Sequence, residues 1–382
     1  MIKIDLRRNL RYPILFISFT FTRRGVKYIM EEWCLEGKSV SFLTVLFMIF
    51  FELILGLIYS CKNESPKKVK KEKTKMNQIK IIKIEKGIKR PDNLCKIISL
   101  MFFSGYFEFM GFLSRRLITI FNPNKKDYDE FNARYRSIEI CFSSLLCFFT
   151  LRINIFRHQC FSLIIIIFSL IIVFVIEINY IDDHSEFLID ILIICGTSAS
   201  RAFLDTIEKY LFDINFINIF KLIRFQSSIN LILMSLLYFF KKPQNEIIEL
   251  INLGKENFWK SFFSVFLLVV YGILSGYKNI YRRYTVKEYS PMSRSLAESI
   301  IDPFLIIFGY ITDNKKIDFL YIFGITIFSL IMVFSSCVYN EVFVLYCCGL
   351  EYNAHLEIVK RAPMELAFND ARETNYENDN ED

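Results

Sequence analysis

Apolar stretches long enough to cross a bilayer recur along most of this chain, and they leave few folds open to it. A spanning helix needs about 20 mainly apolar residues. Such stretches run over Val40 to Ser60, Leu94 to Ser114, His158 to Tyr180, Phe187 to Leu204, Ser261 to Tyr277, Leu296 to Ile311 and Phe319 to Val338, with weaker ones over Tyr12 to Met30, Ile138 to Leu151 and Phe216 to Phe240. The expected fold is therefore all-α, a polytopic membrane protein of about ten transmembrane helices. With 41 Phe and 53% hydrophobic residues in 382, the chain is too apolar for a soluble protein of that length.

One of these helices is nearly written twice. Ile167-Phe168-Ser169-Leu170-Ile171-Ile172-Val173-Phe174 recurs as Ile327-Phe328-Ser329-Leu330-Ile331-Met332-Val333-Phe334, with a single difference and an offset of 160 residues. Upstream, Arg136-Ser137-Ile138-Glu139-Ile140 is echoed by Arg294-Ser295-Leu296-Ala297-Glu298-Ser299-Ile300 at an offset of 158. Two echoes at nearly one offset are what two homologous halves leave behind, and in polytopic proteins such repeats point to a transporter with its site at the repeat interface.

Charge sets the expected orientation. Lys and Arg in short loops gather on the cytoplasmic side. The basic segments are the start (Lys3, Arg7, Arg8, Arg11), the 61–93 loop with its Lys run, the Arg152 to Arg157 turn and the Lys278 to Arg294 connection. The opposite side receives Glu31-Glu32, the mixed Asn122 to Arg134 loop, the acidic Asp182-Asp183-His184-Ser185-Glu186 turn and the mixed 241–260 loop. Both termini are thus expected in the cytoplasm. The chain divides into two first helices (1–60), a basic cytoplasmic loop (61–93) read as a solvated linker, helices three to five (94–180), helices six to ten (187–338) and an acidic, Asn-rich tail (339–382) read as disordered. No cleavable leader stands at the start, so the first spanning helix is expected to direct insertion.

Several chemistries are not expected. The ten Cys are scattered through apolar stretches and only three His are present, so neither a disulfide framework nor a zinc site follows. No Gly-rich phosphate loop, nucleophile elbow or paired His at metal spacing is found, so the chain reads as neither an enzyme nor a cofactor carrier. The partners expected are a small-molecule substrate and the lipid bilayer. A homodimer is compatible, and no nucleic acid is expected.

Taken as ten spans, the chain resembles the drug/metabolite transporter superfamily, and within it the nucleotide-sugar transporter-like solute carriers of eukaryotic endomembranes. The resemblance is carried by Ser39 to Glu52 for the second helix and Met101 to Glu108 for the third, where the family usually has Asp in place of Glu108. Arg136 with Glu139 and the Arg157-His158-Gln159 turn resemble the fourth helix and its exit, and Tyr289 to Ser295 resembles the eighth-to-ninth connection. The charged first helix and the basic 61–93 insertion depart from the family. The resemblance implies two inverted five-helix repeats around a central cavity, a Golgi or ER location, and transport of a nucleotide-sugar or sugar-phosphate by alternating access.

An ionisable side chain at the centre of a span costs roughly 2.5 to 3.5 kcal/mol on insertion scales, so those retained face a cavity or a partner. Six are expected to bind substrate: Arg201, Arg294, Arg136, Glu108, Glu52 and Lys27. Arg23 and Lys27 share a face of helix one, and Thr197, Ser198 and Ser200 gather hydroxyls beside Arg201. Lys221 and Arg224 are expected to snorkel. Arg136 and Arg294 have a bland reading, a pair with the Glu one turn on. Cations outnumber acids in these helices, and Arg offers a planar fork for phosphate, so an anionic solute is expected. Tyr106, Tyr271 and Tyr277 are stacking candidates. The competing reading is a non-transporting membrane receptor or scaffold derived from a transporter fold.

Overall fold

The structure is a computed structural model. It describes residues 2–4, 11–30, 35, 41–63, 94–121, 133–152, 155–180, 184–241, 248, 251–252, 255–304, 306–307 and 319–345. Most of the 61–93 loop, the tail beyond 345, Glu31-Glu32, the 122–132 stretch, Asp182-Asp183 and parts of the 241–260 loop lie outside the described residues.

The described helices are α1 (Arg11–Tyr28), α2 (Ser41–Asn63), α3 (Leu94–Phe121), α4 (Ile138–Leu151), α5 (Arg157–Tyr180), α6 (His184–Asp213), α7 (Ile219–Lys241), α8 (Phe258–Glu288), α9 (Pro291–Ser299) and α10 (Phe319–Tyr339). Among the described residues seven of them, α2, α3, α5, α6, α7, α8 and α10, are long and apolar enough to cross a membrane. The protein is an integral, multipass membrane protein. Its lipid-facing surface follows from the same composition: along α5, Phe161, Ile164, Ile167, Phe168, Ile171 and Val175 are exposed, which only hydrocarbon tolerates over such a length.

Several hydroxyls are satisfied within their own helices, as a medium without water favours. Ser144, Ser162, Thr206 and Ser336 each donate to the carbonyl four residues back. Helix starts and ends carry local signals. The Asn257 side chain accepts from the Lys260 amide to cap α8, and Ser290 accepts from the Ser293 amide ahead of α9, with Pro291 in its first turn. Arg152 ends α4 in the left-handed region at φ 49°.

The packing order runs in a ring. α1 packs on α8, α8 on α2, α2 on α7, α7 on α3, α3 on α6, α6 on α4, α4 on α9, and α9 returns to α1. Outside the ring α5 and α10 pack on each other, α5 also touching α4 and α10 touching α9. The near-copied segments lie in this outer pair: Ser169 and Ser329 are both buried, and Ile166, Leu170 and Val173 share a core with Met332 and Phe328.

Gly272 and Gly276, four apart on α8, bring α8 against α2. A Cβ on Gly272 would stand 2.6 Å from the Phe51 ring and 3.1 Å from the Phe47 carbonyl oxygen, and one on Gly276 would stand 2.7 Å from Leu55. This small-xxx-small spacing is what lets two membrane helices approach backbone to backbone.

Among the described residues there is one sheet, a two-stranded antiparallel pair of β1 (Ile2–Ile4) and β2 (Phe343–Leu345), with Ile2 opposite Leu345 and Ile4 opposite Phe343. It fastens the segment before α1 to the segment after α10, so both lie at the same face of the bundle.

Two expectations about helix bounds are corrected. Lys278 to Arg294 is not a loop: α8 continues to Glu288, and Lys278, Asn279, Arg282 and Arg283 are buried within it. Likewise α6 runs past Leu204 to Asp213, which places Asp205 and Glu208 inside the helix, both buried. Charged residues lower the hydropathy of a window whether they face water or one another, and here they face one another.

Candidate functional site

Charged and amide side chains from the ring helices converge in its interior. The knot is Arg283 on α8, fully buried, which pairs with Glu52 of α2, with Glu108 of α3 at 2.9 Å and with Glu208 of α6 at 3.3 Å, and donates to Gln226 of α7 at 2.7 Å. Its neighbour Arg282 reaches Asp205 at 2.9 Å, Glu208 at 2.8 Å and Glu108 at 3.4 Å. Amides fill in around the carboxylates: Asn279 donates to Glu52 at 2.9 Å, Asn230 to Glu108 at 3.0 Å and Gln226 to Glu208 at 3.0 Å.

Asp205 joins this knot to a second. Its other oxygen accepts from Arg294 Nε of α9 at 2.6 Å, and Arg294 also pairs with Glu139 of α4 and with Glu298 at 3.0 Å. Ser295 donates to Glu139 at 3.0 Å, Lys278 pairs with Glu298 at 2.8 Å, Arg136 pairs with Asp302 at 2.8 Å, and Arg201 stands 3.9 Å from Glu139. α1 closes the ring from its side, Phe16 presenting its ring to Lys278 at 5.4 Å and Arg23 donating to the Tyr271 hydroxyl at 2.8 Å. Each buried charge is expensive alone, and the network keeps nearly all of them within reach of an opposite charge.

Five of the six expected site residues, Arg201, Arg294, Arg136, Glu108 and Glu52, fall in this network. Lys27, half-buried in the last turn of α1, enters none of the pairs named above. Arg294 does pair with the Glu one turn on, but Arg136 does not pair with Glu139. The partners are crossed instead: Glu139 goes to Arg294, and Arg136 goes to Asp302 and within 3.5 Å of the Glu298 carbonyl oxygen.

In the described ion pairs cations and carboxyls are nearly balanced, with the buried Arg23 of α1 beside them. Arg136, Arg201, Lys278, Arg282, Arg283 and Arg294 meet seven carboxyls, Glu52, Glu108, Glu139, Asp205, Glu208, Glu298 and Asp302. Asp205 and Glu208 escaped sequence reading because they sit just past the apolar stretch that ends at Leu204, whereas Asp302 lay inside the expected span from Leu296 to Ile311 and was passed over. One signal could have found the knot: Gly272, Gly276, Asn279 and Arg283 recur at helical spacing, which a loop has no reason to do. Of the aromatic candidates, Tyr271 is engaged with Arg23, Tyr277 stacks on Phe19 at 5.5 Å, and Tyr106 is 41% exposed on the lipid-facing side of α3.

A smaller polar cluster ties α4 to the outer pair. Glu177 of α5 accepts from Arg134 at 2.7 Å and from the Tyr135 hydroxyl at 2.6 Å, and Arg134 also donates to Tyr321 of α10 at 3.0 Å. Burial, then the neighbouring Glu177 charge, push the Tyr135 phenol above its ordinary pKa, so it stays a donor.

No family model matches the chain, and no curated protein matches it.

Proposed function

We propose that this protein is a carrier of the drug/metabolite transporter type, built of two inverted five-helix halves that move a small polar solute between them by alternating access. The observation that carries the reading is a reciprocity. Adding five to each helix number turns the packing order α1·α8, α8·α2, α3·α7, α3·α6, α4·α6 and α1·α9 into itself, and pairs α4·α5 with α9·α10, while α2·α7, α4·α9 and α5·α10 map onto themselves; α6·α8, α8·α9, α7·α8 and α6·α9 are the exceptions, with no counterpart of similar extent among the described residues. A crossed neighbourhood goes with this: Arg136 lies within 3.5 Å of the Glu298 carbonyl oxygen and Arg294 pairs with the Glu139 carboxylate, residue i near j′ and i′ near j, through different groups of the two Glu. A half with an odd number of spans can follow its copy only upside down, hence inverted repeats. Seven crossings would place the two paired strands on opposite faces; the reading takes ten instead, with α1, α4 and the stretch that opens with α9 as the further spans, α4 (14 residues) and α9 (9 residues) being shorter than a full crossing, and it takes both ends to lie in the cytoplasm of an endomembrane such as Golgi or ER.

The solute carries an anionic group, as in a nucleotide-sugar or sugar-phosphate, and Arg294 and Arg201 receive it in place of the carboxylates that now hold them. Exchange of a panel of such solutes in proteoliposomes containing the full chain tests this. Uptake of one class is expected, with Arg294→Gln and Arg201→Gln each cutting it by tenfold or more; unchanged exchange in both variants rejects the anion role. The saturation of Arg294 by three carboxyls favours the second reading, a non-transporting receptor or scaffold, and no uptake of any solute class would select it.

A further inference from the structure

We propose that Glu108 is a proton-binding site: in the folded protein at neutral pH it holds an exchangeable proton rather than a charge. The observation is a shortage of positive charge in the inner knot. Glu52, Glu108, Asp205 and Glu208 lie around two guanidiniums, Arg282 and Arg283, and the third nearby, Arg294, is divided among Asp205, Glu139 and Glu298. Four ionised carboxyls on so few cations leave uncompensated negative charge inside a bundle that excludes water, and such a site sheds it by taking up a proton.

Geometry selects the carboxyl. Asp205 has a guanidinium on each oxygen, Glu52 has Arg283 in the shortest contact of the knot, and Glu208 takes Arg282 at 2.8 Å. Glu108 is second in line everywhere. It shares Arg282 with Glu208, from the longer distance of 3.4 Å, and shares the Arg283 nitrogen with Gln226, which is closer. Its other oxygen meets only the neutral Asn230 amide. The charges acting on it from neighbouring helices are Arg282 and Arg283 of α8, Glu52 of α2 and Glu208 of α6. It is 5% exposed where the other three are fully buried, so it is also the member a proton can reach.

The neighbouring amide offers the proton an acceptor. Asn230 and Glu208 are fully buried, yet Asn230 Oδ1 and Glu208 Oε2 have no hydrogen-bond donor. A proton on Glu108 Oε2 supplies one: with the Asn230 amide turned over, the carboxyl O–H donates to Asn230 Oδ1. As the coupling site of a carrier this rests on the reading above, but the site itself does not.

The test is the infrared spectrum of the full chain in lipid vesicles at pH 7. A carbonyl stretch of a neutral, buried carboxylic acid is expected, shifted in heavy water, absent from Glu108→Gln, retained in Glu52→Gln, and moved to higher frequency in Asn230→Leu, which removes its acceptor. Because Gln is the neutral isostere of the protonated acid, Glu108→Gln is expected to keep the thermal midpoint of the parent. Absence of the band, its survival in Glu108→Gln, or collapse of that variant's fold overturns the proposal, as does stabilisation by sodium in place of the band. Loss of solute exchange in proteoliposomes would sink the carrier reading and leave this result standing.

Discussion

At the scale of single residues, Arg283 concentrates the energetic risk. It is fully buried and holds carboxyls from three helices, so its removal strands Glu52 in a medium that cannot solvate it and leaves Glu108 and Glu208 to share Arg282. Breaking a buried pair by deleting one partner costs about 3–5 kcal/mol. Arg283→Met is expected to lose that much, read as a fall in the thermal midpoint of the reconstituted protein, and a double variant with Glu52→Gln should recover part of it because one orphaned charge disappears with its partner. Glu52 and Glu108 were legible in the sequence for the reason that makes them matter: a short carboxylate inside an apolar run has nowhere to snorkel. Arg282 and Arg283 were not. Placed after Tyr277 among Lys278, Tyr281 and Lys287, they resemble the start of a basic loop, and only the partners on four other helices reveal that they turn inward.

At the scale of elements, the α2–α8 contact depends on two missing side chains. Gly272→Val would drive a branched side chain into the Phe47 carbonyl, backbone that cannot yield as a ring end can, and overpacking of this kind costs about 1–3 kcal/mol. The expected result is a destabilised protein in which the Arg283–Glu52 pair, one and three turns further along the two helices, is also loosened. Gly196→Ala on α6 is the control. No atom lies within 4 Å of a Cβ there, and Ala is a better helix former by up to about 1 kcal/mol, so the midpoint should hold or rise. Side-by-side unfolding curves check both. The helix centres were readable from apolar runs alone, whereas the ends of α6 and α8 were not, because hydropathy scores a charge by its type and cannot know that Asp205 and Arg282 cancel each other.

At the scale of the whole molecule, the chain's two extremities share one face. Cysteines introduced at Lys3 and at Val344 are expected to react with a membrane-impermeant thiol reagent from the same side of sealed vesicles, after the native cysteines are replaced. Labelling from opposite sides would contradict the strand pairing and the even number of crossings together. The echoes on which the proposed repeat rests lie at two places in the sequence, the Ser169 and Ser329 segments and the Arg136 and Arg294 segments. If the proposed halves are copies, little of their common sequence remains elsewhere, since a bundle constrains volume and polarity at a contact more than residue identity.

The strand pair also has a history in time. Ile2–Ile4 leaves the ribosome early, and Phe343–Leu345 follows roughly 340 positions later, so their union closes nearly the longest loop this chain allows. Loop entropy grows only as a logarithm of length, which makes the closure affordable, but it cannot form before the intervening helices are threaded. The join therefore acts as a clasp that shuts late in biogenesis, and a molecule stalled or misthreaded on the way displays two bare strand edges where a finished one displays none unpaired between them.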